Sequence, residues 1–181
     1  MPQPDESALV VLVPEAESLV APTRMQFDRS AIRGMPAHIT VLYPFRHPDD
    51  LSSDVLSELR SVFAQVSCFK FRLSGLCGFP GVIYLAPEPF EPFDALTREI
   101  ASQFPDTPPY GGAYKDPVPH LTVAQKPPAP SLTEVSFQFL NSAGPKLPLD
   151  CTAMAVSLAV KRSGQWRVGP CFALAGGLRS T

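Results

Sequence analysis

Residues 8–13 form an unbroken apolar run, rich in β-branched side chains and closed by Pro14, the pattern of a buried strand. From residue 15 to residue 33 the spacing turns helical, and Pro22 is expected to break this stretch or to begin a second helix. Gly34-Met35-Pro36 then forces a turn into a strand over residues 37–43, ended by Pro44. His47-Pro48-Asp49-Asp50 marks a helix start, after which Leu51, Val55, Leu56, Leu59, Val62, Phe63 and Val66 recur at helical spacing. Residues 69–73 alternate apolar and basic side chains as a half-exposed strand does. Phe79-Pro80-Gly81 is a turn, and residues 82–86 are a buried strand.

The second part of the chain repeats this grammar. A helix is predicted over 93–104, a Pro- and Gly-rich loop over 105–117, and a strand over 118–124. Lys126-Pro127-Pro128-Ala129-Pro130 reads as a rigid break, and Ser131-Leu132-Thr133-Glu134 has the form of a capping box opening a helix toward Asn141. Residues 151–160 and 166–174 read as two paired strands joined by Lys161-Arg162-Ser163-Gly164-Gln165. Each half thus holds a strand, then a helix, then a strand pair, although the two halves share little sequence.

Size and charge narrow the function. A chain of 181 residues can bury a substantial core, and residues 1–181 are read as one domain or two intimate lobes. A formal net charge of −2 argues against gripping long nucleic acid, whose phosphates demand a marked positive excess. A compact ligand, such as a nucleotide or an RNA end, fits better. Cys68, Cys77, Cys151 and Cys171 show no metal-ligand spacing and read as buried free thiols of a reduced compartment. The acidic start at Asp5-Glu6 and the short apolar run after it leave no signal peptide or membrane span to read, so the expectation is a cytoplasmic, membrane-free protein. Nothing in the pattern demands more than a monomer.

The candidate chemistry lies in one phrase used twice. Two of the three histidines occur as His38-Ile39-Thr40-Val41 and His120-Leu121-Thr122-Val123, each with a proline just upstream. Residues two apart in a strand share a face, so each phrase sets a titratable imidazole beside a hydroxyl donor. Composition alone gives such a coincidence at roughly one in a hundred. Two such pairs facing each other supply an acid, a base and two donors for phosphate oxygens. His47 lacks the threonine and reads as a surface residue at a helix start.

On these two motifs, with Tyr43-Pro44-Phe45 after the first, the chain resembles the two-histidine (2H) phosphoesterase superfamily, which includes the RNA 2',3'-cyclic phosphodiesterases long called 2'-5' RNA ligases. The resemblance implies an α+β, bilobal fold: two pseudo-symmetric lobes of antiparallel sheet with flanking helices around a central cleft lined by both motifs. It implies a phosphodiesterase that opens 2',3'-cyclic phosphates, with His38 and His120 as general acid and base and Thr40 and Thr122 holding the phosphate. The roles of the two histidines stay unassigned. The chemistry needs no metal and no cofactor, and no Gly-x-x-x-x-Gly-Lys phrase is present for a nucleotide-driven ligation.

Four further residues are candidate substrate contacts. Tyr110 sits in the Pro/Gly loop, as a stacking platform or a plain loop aromatic, and Phe45 either reaches a base or, as such a residue more often does, packs in the core. Arg162 and Trp166 lie in the closing strand region, which in the superfamily borders the cleft. Arg24, Arg33, Lys161 and Arg167 are additional candidates for phosphate contacts, of which one or two are expected to matter. Two other readings fit the same residues: a phosphodiesterase of 2'-5' oligoadenylate or a cyclic ADP-ribose phosphate, and a non-catalytic nucleotide- or RNA-binding module.

Overall fold

The computed structural model describes residues 4–114, 116–125 and 131–177. Among them the chain runs β1 (Glu6–Leu12), α1 (Pro14–Phe27), α2 (Arg29–Ile32), β2 (His38–Leu42), α3 (Ser53–Phe63), β3 (Phe69–Phe79), β4 (Val82–Glu88), α4 (Glu91–Gln103), β5 (Leu121–Gln125), α5 (Leu132–Ala143), β6 (Leu149–Ala153), β7 (Ala155–Arg162) and β8 (Gln165–Ala173). The predicted break at residues 126–130 lies outside the described residues.

The strands form two four-stranded antiparallel sheets, in the orders β2-β1-β7-β8 and β5-β4-β3-β6. This is an α+β architecture with an internal two-fold likeness. Each half begins β-α-β-α, and in each the second strand is the edge of its sheet, paired only with the first. The edge strands are β2 and β5, which carry the two motifs, and they lie in contact with each other. The helices are exchanged between sheets. α1, which leaves β1, packs on β5, and α4, which leaves β4, packs on β2. The Thr97 hydroxyl of α4 donates to the Val41 carbonyl of β2 at 2.9 Å, fixing that exchange at one atom pair.

One apolar cluster joins the two sheets and the helices between them. It includes Leu9 and Ile39 of the first sheet, Leu85 and Leu121 of the second, and Phe93, Leu96 and Ile100 of α4. Phe93, 1% exposed, receives the ring edges of Phe69 and Phe71 at centroid distances of 5.0 Å each. A second, smaller cluster of Ala8, Val10, Met35 and Ala159 covers the opposite face of the first sheet, with Tyr43 and Trp166 packed against it. Ala8 and Ala159 are register partners in this cluster.

Of the four cysteines read as buried thiols only Cys151 is buried, and Cys77 and Cys171 are exposed. Three expectations about the elements also change. Pro22 does not interrupt α1, which continues to Phe27; the break falls at Asp28. Val20 and Arg24, buried on either side of Pro22, hold the helix through the proline, and the Asp28 side chain then caps α2 by accepting from the Ser30 amide at 2.8 Å. The predicted strand over 151–160 is two strands in different sheets. β6 pairs with β3 and β7 with β1, and the chain crosses over at Met154, whose carbonyl accepts from the Leu174 amide at 2.9 Å. β3 is longer than the alternation of residues 69–73 indicated, because its second half changes partner from β6 to β4 across a register shift at Leu73–Leu76. The Ser131–Glu134 capping box forms as read.

Replacing Phe93 by alanine is expected to lower stability by about 3–5 kcal/mol, through lost burial and two lost ring contacts. The check is a shifted urea midpoint at unchanged slope.

Candidate active site

Alternation along β2 sends Ile39 and Val41 into the core and leaves His38 and Thr40 half-buried on the opposite face. β5 does the same: Leu121 and Val123 are fully buried, while Thr122 and the preceding His120 face outward. The two motif faces meet in a single cleft of about 290 Å³, lined by His38, Thr40, His120 and Thr122 together with residues of both sheets.

Each imidazole is fastened in the same way. His38 Nδ1 donates to the Pro36 carbonyl at 2.7 Å, and His120 Nδ1 donates to the Val118 carbonyl at 2.7 Å. A carbonyl oxygen can only accept, so Nδ1 carries the proton in both rings and Nε2 is the atom left for a ligand. The prolines at 36 and 119 keep the approach to each motif extended, which brings the carbonyl two residues back under the ring.

The surroundings of the rings differ. His38 is pushed down to about 4, first by desolvation, then by the Arg24 guanidinium, with a smaller push from His120. His120 is also lowered, by burial. Its ring is boxed by the edges of Phe79 and Tyr84, each 5.3 Å away between centroids. In the ligand-free protein both imidazoles are therefore neutral at pH 7.

Around them lie cations and rings. Arg29, Ser30 and Arg33 line one rim, from α2 and the turn after it. Lys161 lines the floor, where its ammonium meets Glu6 Oε2 at 2.6 Å and sits 5.6 Å from the centre of the Trp166 ring. Glu6 Oε2 also accepts from the Tyr43 hydroxyl at 2.8 Å. Tyr110 reaches the cleft from the long loop before β5 in a left-handed conformation, φ 52°, followed by Gly111 and Gly112, also at positive φ. Its amide donates to the Tyr43 carbonyl, its ring meets that of Tyr43 edge-on at 6.4 Å, and its phenol interacts with the Thr40 hydroxyl. Among the described residues no group of three or more His, Cys, Asp or Glu side chains is arranged to hold a metal. No helix among them is long and apolar enough to cross a membrane.

A family model described as the 2'-5' RNA ligase superfamily matches residues 12–165, which include both motifs. The chain belongs to the 2'-5' RNA ligase superfamily, a group of 2H phosphoesterases. A protein of Bacillus pumilus (strain SAFR-032) that carries a phosphoesterase name is 34% identical over 96 residues, 51% of this chain and 53% of that protein. The match thus spans about half the length of that relative. Two solved structures share the fold. TT0787 of Thermus thermophilus superposes with a TM-score of 0.63 over 93% of this chain and 97% of its own, at 21% identity. E. coli LigT does so with a TM-score of 0.59 over 96% of this chain and 99% of its own, at 16% identity.

Within this superfamily fold, six of the eight residues singled out from the sequence line the cleft: the four motif residues, Tyr110 and Trp166. Two do not. Phe45 is 6% exposed and packs edge-on against Phe104 at 5.2 Å in the main core, so it is a packing residue. Arg162 points away from the cleft and binds Asp49 at 2.6 Å and Asp5 at 3.4 Å. The reason is strand alternation: Lys161 and its register partner Trp166 take the cleft face, which turns Arg162 and Arg167 to the other side. Of the other cations considered, Arg33 and Lys161 line the cleft, while Arg24 is buried behind it in a pair with Asp28. Sequence reading missed Glu6, Arg29, Ser30, Gln125 and the Phe79–Tyr84 box. The alternation Val82-Ile83-Tyr84 held a signal for Tyr84; a four-residue helix such as α2 leaves none for Arg29.

The depressed His38 makes stability depend on pH. The unfolded ring takes a proton near the ordinary 6.5, while the folded one resists down to about 4. The stabilisation is therefore complete above pH 6.5 and lost as pH falls toward 4, up to about 3 kcal/mol. Urea titrations across this range should fall more steeply for the wild type than for His38→Gln; parallel curves would contradict the burial of a neutral ring.

Proposed function

We propose that the protein is a phosphodiesterase that opens 2',3'-cyclic phosphates of RNA ends or small nucleotides. The reading is carried by one observation: two imidazoles, each clamped through Nδ1 to a carbonyl two residues upstream, present Nε2 with a threonine hydroxyl to one cleft. A cyclic phosphate needs two proton transfers on opposite sides of phosphorus. One neutral Nε2 removes a proton from water as its oxygen bonds to phosphorus. The other, as imidazolium, gives a proton to the ribose oxygen as its bond to phosphorus breaks. Thr40 and Thr122 donate to the non-bridging oxygens, where negative charge is held. Both proton transfers pass through the imidazoles, so the scheme uses no metal.

The low proton affinity of the two imidazoles fits this chemistry. An anionic phosphate between the rings favours an imidazolium, so the acid form is gained with substrate bound. Arg29, Arg33 and Lys161 add positive charge at the rim and floor, and the Tyr43–Tyr110–Trp166 cluster offers ring surface for a base. Family membership and the likeness to E. coli LigT support a nucleotide-sized ligand. LigT has been crystallised with NADP+, with 3'-AMP, with ATP and with phosphate.

The test is hydrolysis of the four nucleoside 2',3'-cyclic monophosphates and a short RNA with a cyclic end, followed by phosphorus NMR. Turnover should persist in EDTA and fall at least about 100-fold in His38→Ala and in His120→Ala, the scale of one positioned acid–base group. No turnover of any of these by folded wild type would reject the cyclic-phosphate reading.

A further inference from the structure

Three consecutive residues ahead of β2 are each tied by one bond to a different side chain. The Met35 carbonyl accepts from Arg24 Nη2 at 3.2 Å, the Pro36 carbonyl from His38 Nδ1 at 2.7 Å, and the Ala37 amide donates to Glu17 Oε2 at 2.6 Å. Glu17 and Arg24 stand two turns apart on α1 and so share a face of that helix. Arg24 is 1% exposed and is itself fixed by Asp28, whose Oδ2 accepts from Nε at 2.9 Å. The other oxygen of Asp28 accepts from the amide and the hydroxyl of Ser30, both at 2.8 Å.

Met35 and Ala37 are buried, and backbone bonds of 2.9 Å from the Met35 amide to the Ser30 carbonyl and from the Val13 amide to the Ala37 carbonyl hold the two ends of the segment. A cavity of about 520 Å³ borders the segment, with Leu12, Glu17, Arg24, Met35, Pro36 and Ala37 among its lining residues. Between those ends, the side-chain bonds to the peptide units on either side of Pro36 come from Arg24, Glu17 and His38 itself. Those units carry the carbonyl that sets the tautomer of His38. His120 bonds a different carbonyl, that of Val118, and its ring also packs against Phe79 and Tyr84.

We propose that Glu17 and Arg24 are positioning residues for His38: they fix the peptide units on either side of Pro36 and so aim the carbonyl that orients the imidazole. The proposal rests on the reading of His38 as an acid–base group.

The test uses full-length, ligand-free protein labelled with 15N-histidine, comparing wild type, Glu17→Ala, Glu17→Gln and the double variant Arg24→Gln/Asp28→Asn. The double variant avoids leaving a buried Asp28 unpaired, which would endanger folding. Long-range 1H–15N spectra of the wild type should show His38 as a single Nδ1–H tautomer. In Glu17→Ala and in the double variant, His38 should become a tautomer mixture while His120 stays unchanged. Turnover of a 2',3'-cyclic nucleotide should drop about 10–100-fold in kcat with KM within about twofold, the scale of a misplaced catalytic group. Glu17→Gln keeps an acceptor oxygen and should recover most of that loss. An unchanged His38 tautomer in Glu17→Ala and in the double variant would overturn the proposal. Failure of the wild type to turn over any cyclic nucleotide would instead count against the functional reading, and the spectra would still decide the positioning claim.

Discussion

The bond from a histidine Nδ1 to the carbonyl two residues upstream is the contact on which the rest of this site depends. It is made twice, at the same 2.7 Å length, by His38 and by His120. It fixes which nitrogen carries the proton, and it does so with backbone alone. Everything else in the fold brings these two clamps together: β2 and β5 are edge strands, the edges touch, and the exchange of α1 and α4 between the sheets holds them there. An edge strand leaves one flank unpaired, and here both motif strands are edges in contact with each other.

The two halves are alike in topology and different in electrostatics. Behind His38 lies a buried ion pair, Arg24–Asp28; beside His120 lie two aromatic rings. Both environments disfavour the imidazolium, one by burial plus a nearby cation and the other by burial. Both imidazoles are therefore held in the neutral form at pH 7. Three cations line the cleft: Lys161, which pairs with Glu6, and Arg29 and Arg33.

Much of this was legible in the sequence, for identifiable reasons. The paired His-x-Thr phrases combine strand periodicity with rare residue types, so they mark both the face and the chemistry. The fold class followed from the resemblance those phrases carry. The phase of the closing strands was not legible. β7 is apolar on both faces, so nothing in residues 151–160 told which of Lys161 and Arg162 faces the cleft or that the chain changes sheet at Met154. Of the two uses read for Phe45, the structure shows core packing: its amide bonds to the Ser7 carbonyl at 2.8 Å and its ring is buried against Phe104. The Glu17 and Arg24 contacts join α1 to residues 35–37, which are 11 and 20 positions away, and no local pattern encodes such a pairing.

The central claim is that the two imidazoles act on one phosphate. It is tested most directly by titrating a nucleoside 3'-monophosphate into 15N-histidine-labelled protein and following Nε2 of His38 and His120. The account predicts that both resonances move together, toward the protonated form, with a single dissociation constant. Movement of one ring alone, or two unrelated binding curves, would contradict it.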